Sequence, residues 1–185
     1  MGRYRNLAAF VILAVVCTVS PSAGQEQVFR INNTAEPESL DPALVTGVPE
    51  HRIIGNLFEG LTTSDPKDLS PRPGMAASWT VSRDGLVYTF KLRDARWTDG
   101  KPVTAHDFVY AWERVLNPKT GAKYAQQLFY LKNGEEYNKG KVTDFGQVGV
   151  KAMDDKTLQV TLRAPTPYFL FLTTFYTLYP APKWA

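Results

Sequence analysis

Residues 76–112 read AASWTVSRDGLVYTFKLRDARWTDGKPVTAHDFVYAW, a stretch that leaves a chain few ways to fold. Three of the four tryptophans, Trp79, Trp97 and Trp112, fall inside it, so the densest core is expected here. Asp84 and Gly85 stand between two β-like runs, a strong hairpin signal because glycine takes positive φ without a Cβ clash. In the second run Tyr88, Phe90 and Leu92 share one face and Val87, Thr89 and Lys91 the other. That period of two belongs to a sheet with one face buried. A second turn at Asp99, Gly100, Lys101 and Pro102 leads to a helix, with Thr104 as the expected N-cap and Asp107 completing a capping box. Phe108, Ala111, Trp112 and Val115 then recur at helical spacing and turn an apolar stripe to the sheet. Asn117-Pro118 ends the helix, since proline disfavours helical geometry in the residue before it. The stretch holds no nucleophile, acid–base pair or phosphate loop and reads as scaffold.

The same residues carry a resemblance. The phrase W-x(4)-DG-x(2)-Y-x-F-x-LR, followed by W-x-DG-x-P-V-x-A-x-DF-V-x-x-W, resembles the signature region of the family 5 solute-binding proteins. These are extracytoplasmic receptors of peptide-type ABC importers. S-L-D-P at residues 39–42, N-L-F-E-G-L at 56–61 and V-x-A-x-D-D-x-T-L-x-V-T-L at 150–162 are similar to the same family. The resemblance implies an α/β, type II periplasmic-binding-protein-like fold. It covers the start of lobe one plus a small α+β second domain. Residues 25–49 would be the first strands of lobe one, 50–165 the small domain, and 166–185 a return segment toward lobe one.

The first two dozen residues read as a cleavable export signal. Arg3 and Arg5 precede an apolar run over residues 7–16, and Ser22, Ala23 and Gly24 offer a small-residue cleavage site within residues 1–24. The apolar run is too short to span a bilayer as a helix. Cys17 follows Val16 rather than the small residue of a lipobox, which argues against lipidation. Cleavage would leave no cysteine and hence no disulfide. The product is expected in the periplasm. Formal net charge is +3, and losing Arg3 and Arg5 would bring the chain near neutrality. Neither a nucleic-acid partner nor a membrane surface is indicated.

Elsewhere the pattern predicts a strand at residues 28–31 and a helix over about 50–58, with Ile53, Ile54, Leu57 and Phe58 on one face and an end at Gly60. It predicts an apolar helix over 124–131, a polar mobile loop over 134–140, strands at 148–152 and 157–162, and an aromatic helix from Pro165 to about Phe175.

Chemistry is sparse. His51 and His106 have no acidic or cysteine neighbours at metal-ligand spacing, so no metal is expected. There is no G-x-S-x-G elbow and no glycine-rich phosphate loop. No catalytic residue and no cofactor is expected. Phe169, Phe171, Phe175 and Tyr176 read as packing.

Binding is the class left, and the resemblance makes it specific. The oligopeptide branch holds an extended peptide between two lobes, mainly by main-chain hydrogen bonds. Thr46, Gly47 and Val48 stand where that branch offers a short extended edge, and the phrase G-V-P-E favours the oligopeptide or murein-peptide branch. Many members carry an acidic residue in place of Thr46. Tyr124 falls where oligopeptide receptors place a ligand-contacting tyrosine; it reads equally as a packed residue with a wet hydroxyl. The implied partners are an oligopeptide and the membrane permease subunits of an ABC importer, with a monomeric receptor. Alternatives are a same-family receptor for murein peptide, nickel chelate, haem or oligosaccharide, or a truncated product. An enzyme would need a catalytic constellation that the sequence does not offer. Family members are much longer, so the second lobe is expected to be missing. With one wall of a clamshell, the isolated chain is expected to bind peptides weakly or not at all.

Overall fold

The computed structural model describes residues 28–184; the export segment lies outside them. Residues 33–184 form one compact unit. Its centre is a four-stranded antiparallel sheet built from β3 (Ala76–Val81), β4 (Val87–Leu92), β5 (Val150–Asp154) and β6 (Thr157–Thr161), in the order β3-β4-β6-β5. The β3–β4 turn places Gly85 at φ 72°, and the Asp84 carboxylate accepts the Leu86 N–H. Phe90 lies opposite Trp79 on one side and Leu158 on the other, and Tyr88 lies opposite Val160. Tyr88, Phe90 and Leu92 are buried with Leu158 and Val160, so the expected alternation is realised.

Helix α2 (Ala105–Leu116) covers that face, burying Phe108, Ala111, Trp112 and Val115 against β5 and β6. Its start follows the sequence. The Asp107 carboxylate reaches back to the Thr104 N–H at 2.8 Å and also accepts the Trp97 indole N–H at 3.3 Å. The tryptophans are not equivalent. Trp112 is fully buried, whereas Trp79 and Trp97 only flank the core.

Helix α1 (Val48–Leu57) and a short β1–β2 ladder (Thr62–Ser64, Pro71–Pro73) precede the sheet. On α1 only Ile54 is fully buried, while Leu57, expected on the apolar face, is 63% exposed. The helix ends at an extended Phe58 rather than on Gly60. Gly60 is required for another reason: a Cβ there would lie 2.4 Å from the Thr173 carbonyl oxygen.

Several expected elements differ. Residues 28–31 form no strand. The helix expected over 124–131 is a 3₁₀ turn, Ala125–Leu128. The chain must straighten there because Leu131 bridges to Leu162 and the Lys132 N–H donates to the Thr161 carbonyl. The loop expected over 134–140 is largely helix α3 (Gly134–Asn138), whose Asn138 amide caps the Leu116 carbonyl at the end of α2. The long aromatic helix shrinks to α4 (Phe169–Leu172) and a 3₁₀ turn, Tyr176–Leu178. Threonine hydroxyls intervene: those of Thr62 and Thr173 lie 2.6 Å apart and each reaches the Leu170 carbonyl at 2.8 Å, sharing two protons among these contacts, and Thr174 donates to the Phe171 carbonyl. Such side-chain bonds compete with helix propagation.

Two contacts tie outlying segments to α2. The Trp112 indole N–H donates to the Leu178 carbonyl at 2.9 Å, inside the core. The Arg114 guanidinium grips Asp41 through both oxygens, at 2.6 and 3.1 Å, and the Asp41 carboxylate also accepts the Ala43 N–H at 3.0 Å. Partial burial works to raise the Asp41 pKa, but Arg114 and the Ala43 N–H outweigh it and hold the carboxyl below the usual aspartate range.

Trp112→Ala is expected to cost about 3–5 kcal/mol, as a large-to-small core change. A denaturant midpoint that does not move would show that this side chain is not core. Asp41→Asn is expected to lower stability at neutral pH by about 1.5–3 kcal/mol, the range for a hydrogen bond to a charged group. The folded pKa lies below the unfolded one. The wild-type contribution is therefore complete above the unfolded pKa and is lost as pH falls through the folded one. Urea midpoints of the two proteins should differ by a constant amount above about pH 5 and converge in acid.

Candidate ligand-binding site

The S-L-D-P phrase forms a turn. The Ser39 hydroxyl accepts the Asp41 N–H, and the Leu44 N–H closes on the Asp41 carbonyl. From this anchored turn the chain passes through Val45 and Thr46 to an extended Gly47 and enters α1 at Val48. Val45 is buried, Thr46 and Val48 are exposed, and Gly47 lies between these extremes. Pro49 suits the first turn of a helix, where an N–H would have no partner.

Two tyrosines hold this segment by its carbonyls. The Tyr176 hydroxyl donates to the Val45 carbonyl at 3.2 Å, across 131 residues of sequence. The Tyr124 hydroxyl donates to the Thr46 carbonyl at 3.4 Å. The Gly47 carbonyl accepts the His51 N–H at 3.1 Å. Three successive carbonyls are thus engaged. The N–H groups of Thr46, Gly47 and Val48 meet no acceptor among the described residues. These three N–H groups are thus unengaged within the described residues. Burial first, and then the neighbouring Tyr124 and Glu50, push the Tyr176 pKa up to about 12, so its hydroxyl stays a donor at any physiological pH.

The rings behind the edge form a chain. His51 lies 5.2 Å from Tyr176, Tyr176 lies 4.4 Å from Phe175, and Phe175 meets Tyr124 edge-on at 5.5 Å. Tyr176 packs with Val45, Ile54 and Tyr179 in a small second core, flanked by Phe58, Tyr124 and Phe175.

Beneath the edge lies Glu50, only 6% exposed. Its Oε1 accepts the Glu38 N–H at 3.0 Å, while its Oε2 is buried without a hydrogen-bond partner among the described residues. The Glu38 N–H, and then the residue's own N–H, hold the Glu50 pKa below the usual glutamate range. A Cβ at position 47 would sit 1.9 Å from Oε2. Gly47 has φ −85° and ψ 158°, which any residue can adopt, so what favours glycine there is the end of the Glu50 side chain, which a larger residue would push aside, and not backbone conformation.

Thr46, Gly47, Val48 and Tyr124, singled out in the sequence, are therefore brought to one place. Val48 differs in being the first helical residue rather than part of the extended edge. Tyr176 is packed, as its pattern suggests, but it also fixes the edge. Glu50 went unrecognised, although its position three residues after Gly47, at a helix start, is a capping spacing that could have exposed it.

Comparison with known proteins identifies the family. Residues 70–185 match the model of bacterial extracellular solute-binding proteins, family 5 (middle region). The chain belongs to this family. Among family relatives, the periplasmic oligopeptide-binding protein OppA of Escherichia coli is 45% identical over 182 residues, covering 96% of this chain and 33% of the relative. The dipeptide-binding protein DppE of Bacillus subtilis is 41% identical over 188 residues, covering 91% of this chain and 34% of DppE. The crystal structure of the Haemophilus influenzae OppA complex with RPPGFSPFR superposes with a TM-score of 0.78 at 44% identity, covering 82% of this chain and 30% of that one. The chain spans about one third of the length of the curated relatives it matches. Tyr124 lies within the matched family region; Thr46, Gly47 and Val48 precede it.

If Glu50 dictates the glycine, Gly47→Ala will lower stability by about 1–3 kcal/mol, the usual cost of overpacking. In a Glu50→Ala background the same change should be neutral or stabilising by up to about 1 kcal/mol, because alanine restricts the unfolded chain. Equal effects in both backgrounds, measured by urea titration, would break the link.

Proposed function

We propose that this chain carries one wall of the peptide site of an extracytoplasmic receptor, which binds oligopeptides non-covalently for an ABC importer. The observation that supports it is the run of unengaged N–H groups at Thr46, Gly47 and Val48, next to the Val45 and Thr46 carbonyls that the hydroxyls of Tyr176 and Tyr124 hold. Every peptide carries the same main-chain carbonyls, so an edge of N–H donors binds peptides with little regard to sequence. The holding hydroxyls are fixed from behind, so the donors are ordered before a ligand arrives and less entropy is lost on binding.

In this reading residues 25–49 and 166–185 belong to lobe one, and residues 50–165 are the small second domain. The protein works as a monomer in the periplasm after removal of residues 1–24, delivers its ligand to membrane permease subunits, and performs no chemistry on it. The name of the Haemophilus influenzae neighbour's complex, with RPPGFSPFR, supports the peptide class.

Titration of ¹⁵N-labelled protein with millimolar tripeptides tests this reading. The amide resonances of Thr46, Gly47 and Val48 are expected to shift in a saturable way. Tyr124→Phe should weaken the effect by about three- to tenfold, the worth of one hydrogen bond. Saturable shifts confined to the far side of the sheet would overturn the assignment.

A further inference from the structure

The face of the sheet turned away from α2 carries a recess of about 370 Å³. Along β6, Gln159 and Thr161 alternate with the buried Leu158 and Val160, so their side chains point away from the core. Gln159 stands opposite Lys151 on β5. Lys132 is joined to the same place by main-chain bonds. Its N–H donates to the Thr161 carbonyl at 2.9 Å, its carbonyl accepts the Gly149 N–H at 2.8 Å, and the Thr161 N–H donates to the Gly149 carbonyl at 2.8 Å. So close a junction needs glycine, because a Cβ at position 149 would lie 2.1 Å from the Thr161 carbonyl oxygen. Asn133, at φ 57°, is pinned beside it by its amide, which donates to the Gln147 carbonyl at 2.8 Å. The floor is therefore fixed, and the carbonyls of Lys132, Gly149 and Thr161 are already engaged.

Lys132, Lys151, Gln159 and Thr161 line the recess, and no aspartate or glutamate among the described residues does. The side chains of these four make no hydrogen bond or ion pair among the described residues. The neighbouring acids are occupied: the Asp144 carboxylate accepts the Gly146 N–H at 2.9 Å, and Glu135 is held by Lys139 and Arg163. We propose that this recess is a binding site for a small multivalent oxyanion, a phosphate ester or a polycarboxylate. Each lysine offers three donors and no acceptor, and the glutamine amide and threonine hydroxyl add further donors. A cationic ligand would meet two like charges with no acid to offset them. An apolar one would strip water from four polar groups and return no hydrogen bond. An anion with several oxygens satisfies all four at once. The recess shares no residue with the segment 46–48, so the proposal stands apart from the peptide reading.

The test is a titration of ¹⁵N-labelled protein with inorganic phosphate and, separately, with citrate, against sodium chloride at matched ionic strength. The amide resonances of Lys132, Gly149, Lys151 and Gln159 are expected to shift in a saturable way with at least one of the two anions and not with chloride. Tighter binding of phosphate assigns the phosphate class, and tighter binding of citrate the polycarboxylate class. Lys132→Gln and Lys151→Gln should each weaken binding about five- to tenfold, the worth of one charged contact. The double variant should show no saturable response. Lys67→Gln and Lys119→Gln, at exposed lysines outside the recess, should change the affinity by less than about twofold. The same spectra report whether each variant is folded. No saturable shift with either anion up to about 20 mM overturns the inference. So do shifts that chloride reproduces, recess variants that bind as tightly as the wild type, or an equal loss at Lys67 and Lys119.

Discussion

The indole of Trp112 and the carbonyl of Leu178 make the contact on which the rest is arranged. Trp112 stands at the middle of the helix that covers the sheet, and Leu178 belongs to a turn far along the chain. Joining them in a dry core leaves neither polar group able to find water, so the bond is expensive to lose. It also fixes the turn that begins at Tyr176, and Tyr176 in turn holds the carbonyl of Val45. Order passes from the core to the edge through two side chains, Trp112 and Tyr176.

A second tie runs from the same helix. Arg114, one position beyond the Trp112–Glu113 pair, grips Asp41 and so fixes the turn from which the edge departs. The edge is held at its root by an ion pair, along its length by tyrosine hydroxyls and at its end by the start of α1. None of these depends on a ligand. The order of this segment is set during folding, before anything could bind to it.

What could be read from the sequence was mostly local. The hairpin, the turn at Gly100 and the capping of α2 depend on residues within a few positions of one another, and the structure contains them all. Thr46, Gly47, Val48 and Tyr124 were reached by resemblance, since nothing in their own spacing announces an edge. The misread elements share a cause. Helix α4 stops because Thr173 meets Thr62, 111 positions earlier, at 2.6 Å. The 3₁₀ turn after Tyr124 gives way because Leu131 must meet Leu162. The bond from Tyr176 to Val45 spans still more chain. Period and propensity carry no record of such meetings.

The steric contact between Gly47 and Glu50 has a further consequence, for how such a chain can diverge. Position 47 tolerates ordinary backbone angles, so nothing intrinsic bars a larger residue. Only the carboxylate beneath it does. Growth at position 47 is therefore coupled to position 50: the Glu50 carboxylate must swing aside, or the residue there must shorten, to make room. A lineage could then acquire a side chain at position 47 by way of a change at a buried neighbour three residues on.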